Sequence, residues 1–483
     1  MARQLTTRGI FLGLPEAEVE NSQNDITQVF IDCTGIDEAV KNGKFLICGR
    51  KGSGKSAYAI YEKRRDNIAD QRLTTIVHKE DFALEELINH EGADSNKRNV
   101  LFEWLILVKI VDLILESRIG EYLQEIRSLS EFKTKNAGLC KIDQYNIDYI
   151  LNESEVNFAP LKSKFGLIRR LFAAKTIKAP FYKMVGPLRQ VIMEVLKMPV
   201  FGKADFKIIF DDLDVRFKLS DSRDREMLSD LIRIAKRYNT EYINGTCAKI
   251  ILMLRDDIID KLPGEDGDLA KTISSATHKI NWYTVDTYGD GRHSLLRNMI
   301  NKRITAAMSR MGQNWSDVKD PWAKFVETTI ADKPSFKYVL DYTFYLPRDL
   351  MAIFKDIATK NMKLPLSQTD IDLLITDYSH EKKREICDEL AAHFPYSHIN
   401  SIIELLAKVD AKYDTTYDDI REWFAQSELD ISTLPTLIAL NLIIPVDNKG
   451  KFYFNYRERI PTGHISSYKF TVPYILTRYF ESR

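Results

Sequence analysis

The chain has 483 residues, 44% hydrophobic and 29% charged, which suits a folded protein of roughly two to four domains and excludes a disordered one. Lysine plus arginine equals aspartate plus glutamate at 69 each, so no global field draws nucleic acid or membrane, and any nucleic-acid contact needs a local patch. The five cysteines include no CxxC pair and the eight histidines show no zinc-like spacing, which points to reduced thiols in a cytoplasmic protein.

The first residues lack the apolar stretch of a signal peptide. Residues 44–48 are a short apolar run suited to a buried parallel strand, and residues 56–66, without Gly or Pro, read as a helix. Between them Gly49-Arg50-Lys51-Gly52-Ser53-Gly54-Lys55-Ser56, followed by Ala57, fits G-x-x-x-x-G-K-[ST] at every fixed position. Each part has its own physical reason. Gly49, Gly52 and Gly54 let the backbone turn so that successive N–H groups line an anion-sized hollow. The helix start adds its positive dipole end. Lys55 would reach the β- and γ-phosphates, and the Ser56 hydroxyl would ligate Mg²⁺.

Residues 74–78 read as a further strand. Residues 81–202 then read as a mostly helical insertion, with helices at 82–89, 100–119 and 165–174. Its most apolar stretch, 101–115, is interrupted by Glu103, Lys109 and Asp112 and is shorter than the roughly 20 residues a bilayer requires. It reads as a buried helix with a polar seam, and no membrane association is expected. Lys162, Lys164, Arg169, Arg170 and Lys175 form a basic run interleaved with Phe165 and Phe172. That run could track a nucleic-acid backbone, or it could be the solvated face of an amphipathic helix.

Residues 207–214, KIIFDDLD, are an apolar strand ending in acids, where α/β sheets place their ligands. Asp211 is the expected magnesium partner, Asp212 the candidate to polarise the attacking water, and Asp214 a residue that closes the site or orients an arginine. Residues 249–254 supply the next strand, ending in Arg255. That arginine could sense the γ-phosphate, or it could pair with Asp256 or Asp257.

These segments resemble the additional-strand P-loop ATPases, the AAA+, STAND and KAP-type proteins of bacteria. GRKGSGKS, IIFDDLD and IILMLRDDIIDKL carry the resemblance, which spans about residues 10 to 360. The apolar insertion of many KAP proteins crosses a membrane; this one is too short. The resemblance implies that Pro347-Arg348-Asp349-Leu350 begins a lid helix whose Arg348 contacts nucleotide, unless Asp341 or Asp349 claims that arginine. It also implies that Arg292, Arg297 or Arg303 could act in trans within a homo-oligomer.

Beyond residue 363 helices are expected at 368–376, 380–393, 398–409, 417–426 and 432–440. A strand–turn–strand follows, through Asp447–Gly450 to a returning strand at 451–456. Three helices and a hairpin suggest a winged helix, protein-facing or DNA-contacting, although the candidate recognition helix has no Lys or Arg. The expected fold is α/β: a P-loop NTPase core with a parallel sheet, a large helical insertion, a helical lid and a C-terminal winged-helix-like domain. Its boundaries fall at 1–80, 81–202, 203–290, 291–362 and 363–483. The expected function is ATP binding and hydrolysis with Mg²⁺, working as a switch or motor in a larger assembly with a partner effector protein or further copies of the chain. The alternatives are a DNA-binding loader similar to origin-binding ATPases and a slow nucleotide-gated scaffold. Anti-phage defence or DNA maintenance follows from family analogy alone. No Asn-Lys-x-Asp guanine-reading motif occurs in a suitable place, which favours ATP over GTP.

Overall fold

The computed structural model describes residues 5–23, 25–78, 95–140, 155–158, 177–213, 222–262, 267–283, 291, 293–391, 393–412, 414–457 and 465–482. Lys162, Lys164, Arg169, Arg170, Lys175, Asp214 and Arg292 lie outside them, as do the expected helices at 82–89 and 165–174. The chain forms two compact units, residues 25–280 and residues 1–24 with 281–483.

The first unit is built on a five-stranded sheet. Its strands are β1 (Leu46–Cys48), β2 (Arg72–His78), β5 (Asp205–Asp211), β6 (Ala248–Leu254) and β7 (Thr277–Lys279). Their order is β2-β5-β6-β1-β7, and every pairing is parallel. The acidic strand β5 is therefore separated from β1 by one further strand, β6. Buried runs such as Ile208-Ile209-Phe210 and Ile250–Leu254 follow from a sheet covered on both faces, where no position is left for a polar side chain to alternate.

Between β2 and β5 lie α2 (Ser95–Glu116), α3 (Gln124–Lys135), the antiparallel pair β3 (Glu155–Phe158) and β4 (Ile177–Pro180), and α4 (Phe181–Leu196). The apolar residues of α2 share one core with β5, β6 and α5 (Ser222–Arg237). Its polar seam is used. Glu103 accepts from Arg189 of α4 at 2.7 Å and pairs with Arg237 of α5, while Asp112 pairs with Lys133 of α3 at 2.7 Å. Helix α1 (Lys55–Arg64) follows β1, and α6 (Gly267–Ala276) leads into β7. Among the described residues no helix is long and apolar enough to cross a membrane.

In the second unit, α7 (Leu295–Arg310) packs with α8 (Pro321–Phe325). The short pair β8 (Thr329–Ile330) and β9 (Lys333–Pro334), α9 (Ser335–Asp341) and α10 (Pro347–Phe354) follow. The N-terminal segment belongs to this unit: Thr7 donates to the carbonyl of Met362 at 2.8 Å, and Leu364 donates to that of Leu5 at 3.0 Å.

The expected helices at 368–376 and 380–393 are one continuous helix, α11 (Gln368–Ala391), because Asp377 to Ser379 contain no residue that breaks a helix. Next come α12 (Tyr396–Ala411), α13 (Tyr417–Gln426), α14 (Leu434–Ala439), β10 (Ile444–Val446), β11 (Lys469–Thr471) and α15 (Tyr474–Glu481). The strand returning to β10 is β11, antiparallel to it, and Thr415 bridges to Phe470 from the other side. The 451–456 segment makes only a single bridge, Phe452 to Val446. The order helix, bridge, helix, helix, strand, wing, strand is that of a winged helix, and the described residues of its wing are 447–457 and 465–468.

Candidate functional site

At the carboxyl ends of β1 and β5 two segments distant in sequence meet. β1 is buried throughout, and Gly49, donating to the Leu254 carbonyl at 3.2 Å, begins the loop. Gly52 has φ +80° and Gly54 φ +95°, left-handed values at which a side chain would be strained. Gly49 is needed for another reason. A Cβ there would stand 2.6 Å from the Ser53 hydroxyl and 3.1 Å from Ile280. The loop leads directly into the first turn of α1, with Gly54 as its left-handed cap.

Lys55 lies over its own loop, donating to the carbonyls of Gly49 at 2.8 Å and Arg50 at 3.3 Å. Ser56, the next residue, stands beside the carboxyl of Asp211. Burial pushes that carboxyl up to about 6; the neighbouring Asp212 charge adds to the rise, and Ser56 and Lys55 oppose it. A carboxylate held dry beside a hydroxyl and within reach of an ammonium is a donor set suited to a hard divalent cation with oxygen ligands. Ser56 and Asp211 would hold Mg²⁺.

Asp212 is half-exposed at φ +54°, a left-handed conformation uncommon for a non-glycine residue. The backbone turns sharply after Asp211, and even so a carboxylate oxygen of Asp212 lies within 4.8 Å of one of Asp211. His78, at the end of β2 and in register with Asp211, brings Nδ1 to 3.5 Å from the Asp212 carboxylate. Sequence reading placed His78 in a strand without assigning it to the site. The signal that could have found it is its position as the last residue of a strand neighbouring the acidic one.

Arg255 follows β6. Its guanidinium makes a two-pronged contact with Asp257, Nε donating at 2.9 Å and one terminal nitrogen at 2.8 Å. Of the two readings for this residue, the structure realises the pairing with a neighbouring acid.

Arg348 belongs to the second unit, in the first turn of α10, and its partner is Glu385 of α11 at 3.7 Å. Asp341 pairs instead with Lys333 and Lys337. Asp349 is buried, accepting from the Phe344 backbone at 2.8 Å, Tyr378 at 2.8 Å and Lys382 at 3.1 Å. Neither acid expected to compete for Arg348 therefore does so.

The candidates for action in trans are corrected in two of three cases. Arg297 is 7% exposed and bound to Asp320 at 2.6 Å, and Arg303 is 6% exposed, bound to Glu20 and to the Leu12 carbonyl at 3.0 Å. Both guanidiniums are committed inside their own unit.

A family model described as the FunZ-associated C-terminal helical domain matches residues 294–387, the stretch from α7 into α11. No curated protein matches the chain. Two solved structures are similar. One is the ORC2 protein of Aeropyrum pernix, solved as ADPNP–ADP complexes: 10% identity, TM-score 0.32, covering 95% of this chain and 98% of that one. The other is Cdc6p from Pyrobaculum aerophilum: 10% identity, TM-score 0.26, covering 97% of this chain and 95% of that one.

Proposed function

We propose that the chain binds ATP with Mg²⁺ and hydrolyses it, using the cycle as a switch or motor in a larger assembly. The observation that carries this reading is the meeting of Ser56, at the start of the P-loop helix, with the buried carboxyl of Asp211, at the end of the acidic strand. It joins the two halves of a phosphate-and-metal site across about 150 residues of chain, a separation far beyond one βαβ unit. The loop N–H groups would cradle the phosphates. Lys55 would exchange the carbonyls of Gly49 and Arg50 for phosphate oxygens. Asp212, beside Asp211, would hold the attacking water, with His78 orienting its carboxylate. Magnesium, when bound, neutralises charge on the phosphates.

Equilibrium binding of Mg·ATP and Mg·GTP to wild type and Lys55→Ala tests this. A charged hydrogen bond contributes about 1.5–3 kcal/mol, so the variant should bind ATP at least about tenfold more weakly. Equal binding by both proteins would sink the assignment.

Of the two alternatives, a DNA loader rests on the basic run that includes Arg169 and Arg170, and on the winged-helix order. The short α14 carries no Lys or Arg, which favours a protein-facing role for that domain and leaves the switch as the leading reading. A slow-turnover scaffold would bind ATP equally well and differ only in rate. Defence against phage or DNA maintenance is the setting suggested by the resemblance to bacterial STAND and KAP-type ATPases.

A further inference from the structure

The wing carries an arginine that is half-buried among aromatic rings. The Arg457 guanidinium lies over four aromatic rings: Phe454 at 4.2 Å, Tyr283 at 5.0 Å, Tyr345 at 5.1 Å and Tyr456 at 5.5 Å. The rings also contact one another, Tyr283 edge-on to Tyr345 at 5.1 Å and Tyr345 tilted against Tyr456 at 5.7 Å. Tyr283 and Tyr345 are buried, and a guanidinium over desolvated rings is the strong form of a cation–π contact.

Two of the rings come from the wing and two from elsewhere. Tyr283 stands just after Asn281, where the chain enters the second unit. Tyr345 is 1% exposed, with left-handed φ +57°, in the turn that starts the Arg348 helix. That turn is held by Tyr345 N–H donating to the Thr343 hydroxyl at 3.1 Å and by Lys337 donating to the Tyr345 hydroxyl at 3.1 Å. The wing is fastened to its own domain by Asn455 N–H donating to Asn441 at 2.7 Å and Tyr453 N–H donating to the Pro445 carbonyl at 2.9 Å.

We propose that Arg457 is a latch: its aromatic cage fastens the wing to the Tyr345 turn and to the entry segment at Tyr283. The wing is then an internal brace of the Arg348 helix rather than an arm that reads a nucleic-acid groove. A guanidinium stays charged at all physiological pH values, so the latch is released by mechanical displacement of the turn and not by titration.

Hydrogen exchange on the full chain without nucleotide tests the latch independently of any ATPase activity. In Arg457→Ala, the amides of Tyr453 and Asn455 in the wing and of Phe344 and Tyr345 in the turn should together exchange about tenfold faster or more, with α12 unchanged. Arg457→Lys, which keeps the charge but not the planar face, should fall between. If Arg457→Ala does not fold, Tyr283→Leu removes another wall of the cage and makes the same comparison. Acceleration in the wing alone, in neither segment, or equally in α12 would overturn the latch.

Discussion

Asp211 carries the conflict between stability and function at the scale of one residue. Its carboxyl is buried, and its ordinary value is pushed up to about 6. For an acid whose folded value lies above its unfolded one, the ionised form costs stability. That cost is absent below about pH 4, grows as the pH rises towards 6, and is complete above it. A rise of roughly two pH units corresponds to about 3 kcal/mol at neutral pH. Asp211→Asn should therefore raise the melting temperature of the nucleotide-free protein at pH 7.5 while weakening Mg²⁺-dependent nucleotide binding. Wild type should gain stability on acidification through the same window, as followed by thermal unfolding across pH. A variant less stable than wild type at pH 7.5 would show that the buried carboxylate is paired more fully than its neighbours indicate.

At the scale of elements, α2 shows how a helix too polar for a bilayer becomes the spine of a buried core. Its apolar residues bury against the sheet, and two of the three charges that interrupt them, Glu103 and Asp112, pair with α4, α5 and α3. Glu103 is the busiest of these, since Arg189 and Arg237 both converge on it and both stack on Tyr242, at 4.3 and 5.6 Å. Removing it leaves two guanidiniums without their acid. Arg237 is 40% exposed on its side chain and regains water, so the expected loss for Glu103→Ala is about 2 kcal/mol, below the range for fully buried pairs. Chemical denaturation should show that loss, with Arg237→Ala costing clearly less. Equal costs would mean that the seam contributes as a pair and not as a hub.

The elements also show what was legible beforehand. The P-loop, the acidic strand and β6 were readable because each is local: an apolar run, then a loop or acid at its end. The turn at Asp447 was readable for the same reason, its carboxylate accepting from the Lys449 and Lys451 amides at 2.8 and 2.9 Å. The partner of β10 was not, because β11 lies beyond the whole wing and no short-range pattern distinguishes it from the nearer aromatic run at 452–456. That run is aromatic for another purpose, since Phe454 and Tyr456 form half of the Arg457 cage. The fates of Arg297 and Arg303 were illegible for the same physical reason: their acids, Asp320 and Glu20, are neighbours only after folding.

At the scale of the whole molecule, the chain divides its tasks. Residues 25–280 carry the glycine-rich loop, the acid pair and His78, while the rest carries Arg348, the long helix α11 and the winged helix. Arg348 is tied to Glu385 on α11, and the turn before it is tied to the wing, so the second unit joins its helical and winged-helix parts around one arginine. The account stands on hydrolysis at the first unit. The measurement that tests it most directly is phosphate release from ATP with Mg²⁺ by wild type beside Asp212→Asn, with nucleotide binding recorded on the same samples. The account predicts turnover by wild type, and in the variant a loss of turnover with ATP still bound. Undiminished hydrolysis in Asp212→Asn would contradict it.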